Sequence, residues 1–222
     1  MLTLTPPQDS AALTTYAPPR MTTERSPFVF VGERLWLDFV NCEQGLRRFD
    51  ALRDFETLVR WLEAAVVLDA ERAGGIRRRA VQQPAGAAAA LVDARRVRSA
   101  LRALAERGPL SERARGEGLV EINRVLGRSA GTRRVELRTD GTFIRACVPV
   151  GDAFAGLVIP VVESAADALI LGELSRVRRC ADQRCQRVFF DNTKNGRRRW
   201  CDMATCGNRA KAARHREKLK AH

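Results

Sequence analysis

Histidine is nearly missing from this chain. There are two in 222 residues, His215 and His222, both at the C-terminal end. A nuclease-type catalytic metal centre needs His together with Asn or Asp, and the rest of the sequence offers it no His. The GxGxxG, P-loop, HExxH and GxSxG signatures are absent as well. Asp38, Glu43 and Asp50 could be drawn together as an acidic site, but carboxylates near helix starts more often serve as caps and surface charges. These absences argue against an enzyme. No apolar run reaches the roughly 18 residues a membrane span requires, and the N-terminus lacks a basic-then-apolar signal pattern. The sequence therefore reads as a soluble cytoplasmic protein with no membrane partner. It shows no internal repeat.

Positive charge is concentrated at one end. Residues 176–222 hold 15 Lys+Arg against 4 Asp+Glu, a formal +11 of the chain's +13. The other 175 residues are close to neutral. Basic density of that kind attracts a polyanion through counterion release. The plain alternative is a solvated, solubilising tail. Against that alternative, the basic residues are interleaved with cysteines and aromatics.

Those cysteines form Cys180-x4-Cys185 and Cys201-x4-Cys206. Two equally spaced pairs, a hairpin's length apart, suit a tetrahedral zinc site, and in a reducing compartment they read as metal ligands rather than paired disulfides. Four thiolates close the coordination shell, so the single Zn²⁺ expected here is structural. It can hold together a module too small for a core of its own. Cys42 and Cys147 stand alone and read as small buried hydrophobes or, less simply, reactive thiols.

Along the chain, residues 1–26 read as a disordered leader rich in Pro, Ser and Thr. Residues 27–175 read as an α-rich domain, and 176–222 as the zinc module. Phe28–Val31 is either a strand or a docking segment, and Leu35–Asn41 begins a helix. Asp50 is the candidate N-cap of the next helix, with Leu52, Phe55, Val59, Leu62 and Val66 at helical spacing. Gly74-Gly75 is expected to end that pattern. Helices follow around Leu91–Leu104, stopped by Gly108-Pro109, and after Ser111, a candidate cap. Residues 134–138 and 142–146 alternate about Asp140-Gly141, a hairpin. Residues 152–178 return to helix, started or kinked by Pro160, and run almost directly into Cys180.

In the zinc module, Val188–Asp191 and Arg197–Trp200 read as two strands joined at Asn195-Gly196, with a helix over Asn208–Lys220. Knuckle, hairpin, knuckle and helix make a treble-clef arrangement, and the fold class is α+β. On a strand, Arg197 and Arg199 point together and Arg198 away. Trp200 is either core to the module or a stacking platform. On the final helix Cys206, Ala210 and Ala213 share a face. Lys211, Arg214 and Lys218 flank it on one side, and Arg209, Arg216 and Lys220 on the other. Such rails suit phosphates on either side of a groove. Asn208 either reads adenine or caps locally. The candidate nucleic-acid contacts are Arg197, Arg198, Arg199, Asn208, Arg209, Lys211, Arg214, Arg216 and Lys218.

Cys180-x4-Cys185, Phe190-Asp191-x-Thr193-x-Asn195-Gly196-Arg197-Arg198-Arg199-Trp200-Cys201 and Cys206-Gly207-Asn208-Arg209 closely resemble the CGNR zinc finger. Leu37-Asp38-Phe39-Val40-Asn41 and the Leu58–Leu62 segment with Trp61 resemble the ABATE domain that accompanies it. Gly32–Trp36 departs from that pattern in lacking the Gly-His type residues expected there. The resemblance implies a bacterial stress-induced transcription regulator, cytoplasmic and nucleoid-associated. It implies zinc on Cys180, Cys185, Cys201 and Cys206, and double-stranded DNA on the finger. The helical domain would then sense a ligand or form a homodimer. RNA is the competing polyanion, and an acidic protein partner is a third class.

Overall fold

The structure is a computed structural model that describes residues 28–44, 49–107, 110–128, 131–137, 143–149 and 154–220. The 1–26 leader, the Asp140-Gly141 turn and the Gly108-Pro109 stop lie outside the described residues.

Residues 28–34 form an irregular segment, not a strand, before helix α1 (Leu35–Val40), all six of whose residues are buried. The short strands β1 (Glu43–Gln44) and β2 (Phe49–Asp50) pair antiparallel. Helix α2 (Phe55–Ala64) is capped by Asp54, not by Asp50 as expected. Asp54 accepts from the Thr57 N–H at 2.7 Å, and Thr57 Oγ1 accepts from the Asp54 N–H at 3.0 Å. That is a reciprocal capping box. Asp50 sits too far upstream to reach the helix start and instead takes both arms of Arg98, at 2.6 and 2.8 Å.

Helix α3 (Ala70–Gln82) runs straight through Gly74-Gly75, where a stop was expected. A glycine costs a helix about 1 kcal/mol but does not forbid it. Here the Asp69 cap starts the helix, and Arg77 ties it to Glu56 and Glu63 of α2. Helix α3 ends just before Pro84, which begins α4 (Pro84–Arg107), because its fixed φ suits a first turn. Helix α5 (Glu112–Arg128) starts with the Ala114 N–H donating to Ser111 Oγ at 3.2 Å. Strands β3 (Gly131–Leu137) and β4 (Phe143–Pro149) pair antiparallel, with Leu137 opposite Phe143. Helix α6 (Ile159–Ile170) carries Pro160 in its first turn. It stops short of the expected 178 because Gly172 takes a left-handed conformation (φ 66°), the usual helix C-terminal device.

The core gathers α1, α2, α4, α5 and α6. Trp36, Leu37, Phe39, Leu62, Leu101, Leu104 and Val161 are fully buried, and the Phe39 and Trp61 rings meet edge to face at 4.9 Å. Buried Arg102 of α4 donates to the carbonyls of Val40, which the end of α1 leaves open, and of Glu43 in β1. No described helix is long and apolar enough to cross a membrane. Beyond α6 the core continues into Val177, Val188 and Phe190.

Candidate metal centre and nucleic-acid face

After a 3-10 turn, strand β5 (Val177–Arg179) leads into the first cysteine pair, and β6 (Val188–Phe190) leads out of it. The two pair antiparallel, with Val177 opposite Phe190. The hairpin of the finger is therefore β5–β6, wrapped around the first knuckle. Arg197–Trp200 is not a strand, contrary to expectation. The reason is competition for an edge. One side of β6 faces β5. On the other, the Val188 N–H donates to Asn41 Oδ1 (3.0 Å), Asn41 Nδ2 donates back to the Val188 carbonyl (2.9 Å), and the Phe190 N–H donates to the Gly32 carbonyl (2.9 Å). The helical part thus supplies the missing neighbour of β6, as an asparagine side chain and one backbone carbonyl.

Gly32 is itself fixed. Asp38 Oδ1 accepts from the N–H groups of Val31 (2.8 Å) and Gly32 (2.7 Å). A Cβ on Gly32 would lie 2.8 Å from both the Asp38 nitrogen and the Leu37 Cβ, a separation real side chains do not adopt. The Leu37–Asn41 motif therefore docks the finger and forms no acidic site. Glu43 and Asp50 point to Arg102 and to Arg98, respectively.

The two faces of β6 serve different cores. Val188 and Phe190 enter the main core, while Phe189 packs with Cys180, Cys185, Cys201 and Cys206. All four cysteines are buried, and their sulfurs lie within 4.8 Å of one another. Cys185 and Cys201 are 3.5 Å apart, and Cys201 and Cys206 3.8 Å. Zn–S bonds of about 2.3 Å at tetrahedral angles put sulfurs about 3.8 Å apart. The set fits one structural zinc, which would fill its coordination shell and supply cross-linking rather than chemistry.

The thiols perturb one another as this crowding demands. The hydrogen bond from Cys201 draws Cys185 down to about 5 against the effect of burial. Cys201, as that donor, and Cys180, through burial, are pushed above the ordinary thiol range. Sulfurs this close repel as thiolates, and a dication is what allows all four to ionise. Two arginines offset the remaining negative charge. Arg187 lies 3.9 Å from Cys185 Sγ, and Arg209 lies 3.3 Å from Cys206 Sγ while pairing with Asp182 at 2.7 Å.

The second pair continues into a wide π-type turn, Met203–Gly207. Asp202 caps it by accepting from Ala204 and Thr205 N–H. Helix α7 (Asn208–Lys220) follows and buries no residue. Asn208 Nδ2 donates to the Ala204 carbonyl at 3.0 Å, a local cap, although the side chain is exposed. Lys211, Arg214, Arg216 and Lys218 are all exposed.

Arg197 and Arg199 are exposed and Arg198 turns inward. Arg198 pairs with Glu33 at 3.0 Å, donates to the Trp200 and Cys201 carbonyls, and lies over the Phe189 ring. Of the nine candidate contacts, Arg198 and Arg209 thus already have partners within the protein, although Arg209 stays exposed. Sequence reasoning missed these two ties, the docking role of Asp38 and Asn41, and the buried carboxylate of Asp191. Asp191 accepts from the Thr193 N–H, Thr193 Oγ1 and Arg198 N–H. Its Asp-x-Thr spacing is the one signal that could have been read, as an Asx turn.

Comparison with known families assigns the two parts separately. The CGNR zinc finger profile matches residues 176–218. The ABATE profile, described as "Putative stress-induced transcription regulator", matches residues 33–172. Among curated proteins, none matches the chain.

Proposed function

The chain belongs to the ABATE family and carries a C-terminal CGNR zinc finger, and from that premise we propose that it is a cytoplasmic, nucleoid-associated regulator of transcription whose finger holds duplex DNA. In this reading residues 27–175 sense a signal or form the dimer. Cys180, Cys185, Cys201 and Cys206 hold the zinc. Residues 176–222 supply the contact surface.

The observation that carries the reading is the asymmetry of the finger. Its inner side is spent on the cysteine cluster and the main core, and its outer side presents Arg197, Arg199, Lys211, Arg214, Arg216 and Lys218 to solvent. Beyond the ties of Arg209, a helix with no buried residue and several basic ones gains little from the fold it is attached to. It suits a phosphate backbone. Asn208 is the one exposed amide at the start of that helix and is assigned to base edges only through the part of its side chain the local cap leaves over. Neither family is enzymatic, and no catalytic role is assigned.

Fluorescence anisotropy of the zinc-loaded protein with random duplex DNA tests this. Six phosphate contacts predict a log–log salt slope of about −5. Arg214→Ala should weaken binding to all sequences alike and lower the slope by about 1. Absence of duplex binding, or a clear preference for structured RNA in competition, overturns the proposal.

A further inference from the structure

A cleft of about 570 Å³ opens on the outer side of the finger, where it meets the segment before α1. Its lining includes Glu33, Asn192, Arg197, Arg199, Trp200 and Met203. The volume is within the range of small-ligand sites.

The cleft is built. Buried Asp191 locks the loop that forms one wall, through three donors, and Asn195 Oδ1 accepts from the Arg197 N–H at 3.3 Å. Arg176 donates to the Thr193 carbonyl from beneath. At the back, the Arg198–Glu33 pair bridges finger and helical part. Arg197 and Arg199 are thus exposed on a loop whose backbone is fixed.

Trp200 is half-buried. It packs on the cysteine cluster and also lines the cleft, with the Arg199 guanidinium 5.2 Å from its ring centroid. The guanidinium lies over the ring and off its centre, so a base stacking there would share or displace it. With the neighbouring amides and a second exposed arginine, the ring matches the parts of one nucleotide: a flat base, polar base edges and a phosphate. A base inside a duplex cannot reach such a ring, because it is stacked between its neighbours.

Building on the DNA-binding reading, we propose that this cleft takes one unpaired nucleotide of a DNA strand, its base lying on Trp200 and its phosphate between Arg197 and Arg199. The finger would then hold duplex along α7 and favour sites where a base pair opens.

The test uses the zinc-loaded full chain and two labelled duplexes identical except for a central mismatched bubble, with free deoxynucleoside monophosphate as a third arm. The bubble should bind about tenfold tighter than the paired duplex, the order one stacked base provides. It should also quench tryptophan emission. Trp36 and Trp61 are 0% and 1% exposed, so the quench reports Trp200.

Trp200→Leu keeps an apolar group on the cysteine cluster. At unchanged zinc content it should abolish the bubble preference and leave paired-duplex affinity as it was. Equal affinity for both duplexes with unchanged emission overturns the cleft while leaving the regulator reading intact. Binding of the bubble alone supports the cleft and overturns duplex binding. Free nucleotide binding as tightly as the bubble makes the site a free-nucleotide site and overturns the DNA-strand assignment. Tighter quenching by single-stranded RNA overturns the choice of DNA.

Discussion

The helical part and the finger of this chain reach stability by different routes. In the helical part, five helices bury Trp36, Phe39, Trp61, Leu101 and their neighbours in one continuous core, and apolar burial is the main source of its order. The finger has Phe189 and four cysteines to call its own. Its other buried apolar strand residues, Val177, Val188 and Phe190, belong to the helical core. A three-residue strand thus belongs to two interiors, on alternate residues, and the finger is as much a docked extension as a separate module. For function this means that whatever shifts α1 shifts β6, because Asn41 holds that strand directly.

The comparison breaks most completely at the metal. Cys201→Ser should remove one ligand of four. Structural zinc contributes about 10 kcal/mol or more to such modules, so residues 191–220 should unfold while the helical part persists. Zinc analysis and far-UV circular dichroism check this, and a variant that keeps full zinc content would sink it. Next comes the alternation along β6. Phe190→Ala and Phe189→Ala each remove roughly 3–5 kcal/mol of packing, but from different cores. Phe190→Ala should lower the main thermal transition. Phe189→Ala should leave that transition in place and ease zinc loss to a chelator. The same response from both variants would mean there is only one core.

Asn41→Ala is smaller. It strips a buried N–H and a buried C=O of Val188 of their partner at once, a cost of about 2–4 kcal/mol. Amide exchange at Val188 should accelerate well before exchange in α4 does. Uniform acceleration across both parts would show that Asn41 matters to global stability and not to docking.

The parts of this design that are local were legible in the sequence. The cysteine spacing, the hairpin β3–β4 and the helices from Leu91 to Leu126 declared themselves through spacing and period. Those that rest on distant partners were not. Asn41 meets Val188 across 147 residues, and no local pattern marks an asparagine that will stand in for a β-strand. Arg197–Trp200 follows the Asn195-Gly196 turn signal and so reads as a returning strand, yet the edge it would need is occupied. Gly74-Gly75 looks like a stop, but the Asp69 cap and the ion pairs to α2 outweigh two weak helix formers. Arg198 and Arg209 looked like any other basic residue of the tail. Only the folded chain shows that one faces Glu33 and the other the sulfur of Cys206.

The smallest effect tests the helical side of the comparison through pH. Burial tends to raise the pKa of Asp50. The hydrogen bond and charge of Arg98, the Leu52 N–H and Arg95 outweigh it and hold the carboxyl below the usual carboxylate range. A depressed folded value means the stabilisation is complete above the unfolded value of about 3.9 and is lost as pH falls through the folded one. Asp50 is about one-third exposed and Arg98 is buried, so solvent screens part of the pair. Asp50→Asn should therefore cost roughly 1–2 kcal/mol at neutral pH. The gap to the parent protein in urea unfolding should close as pH falls below about 4, because there the parent loses the charge that the variant never had. Since Asp50 touches α4 and not the finger, zinc retention should not change at neutral pH. A gap that stays constant with pH would mean that the Asp50–Arg98 contact stabilises by shape and hydrogen bonding alone.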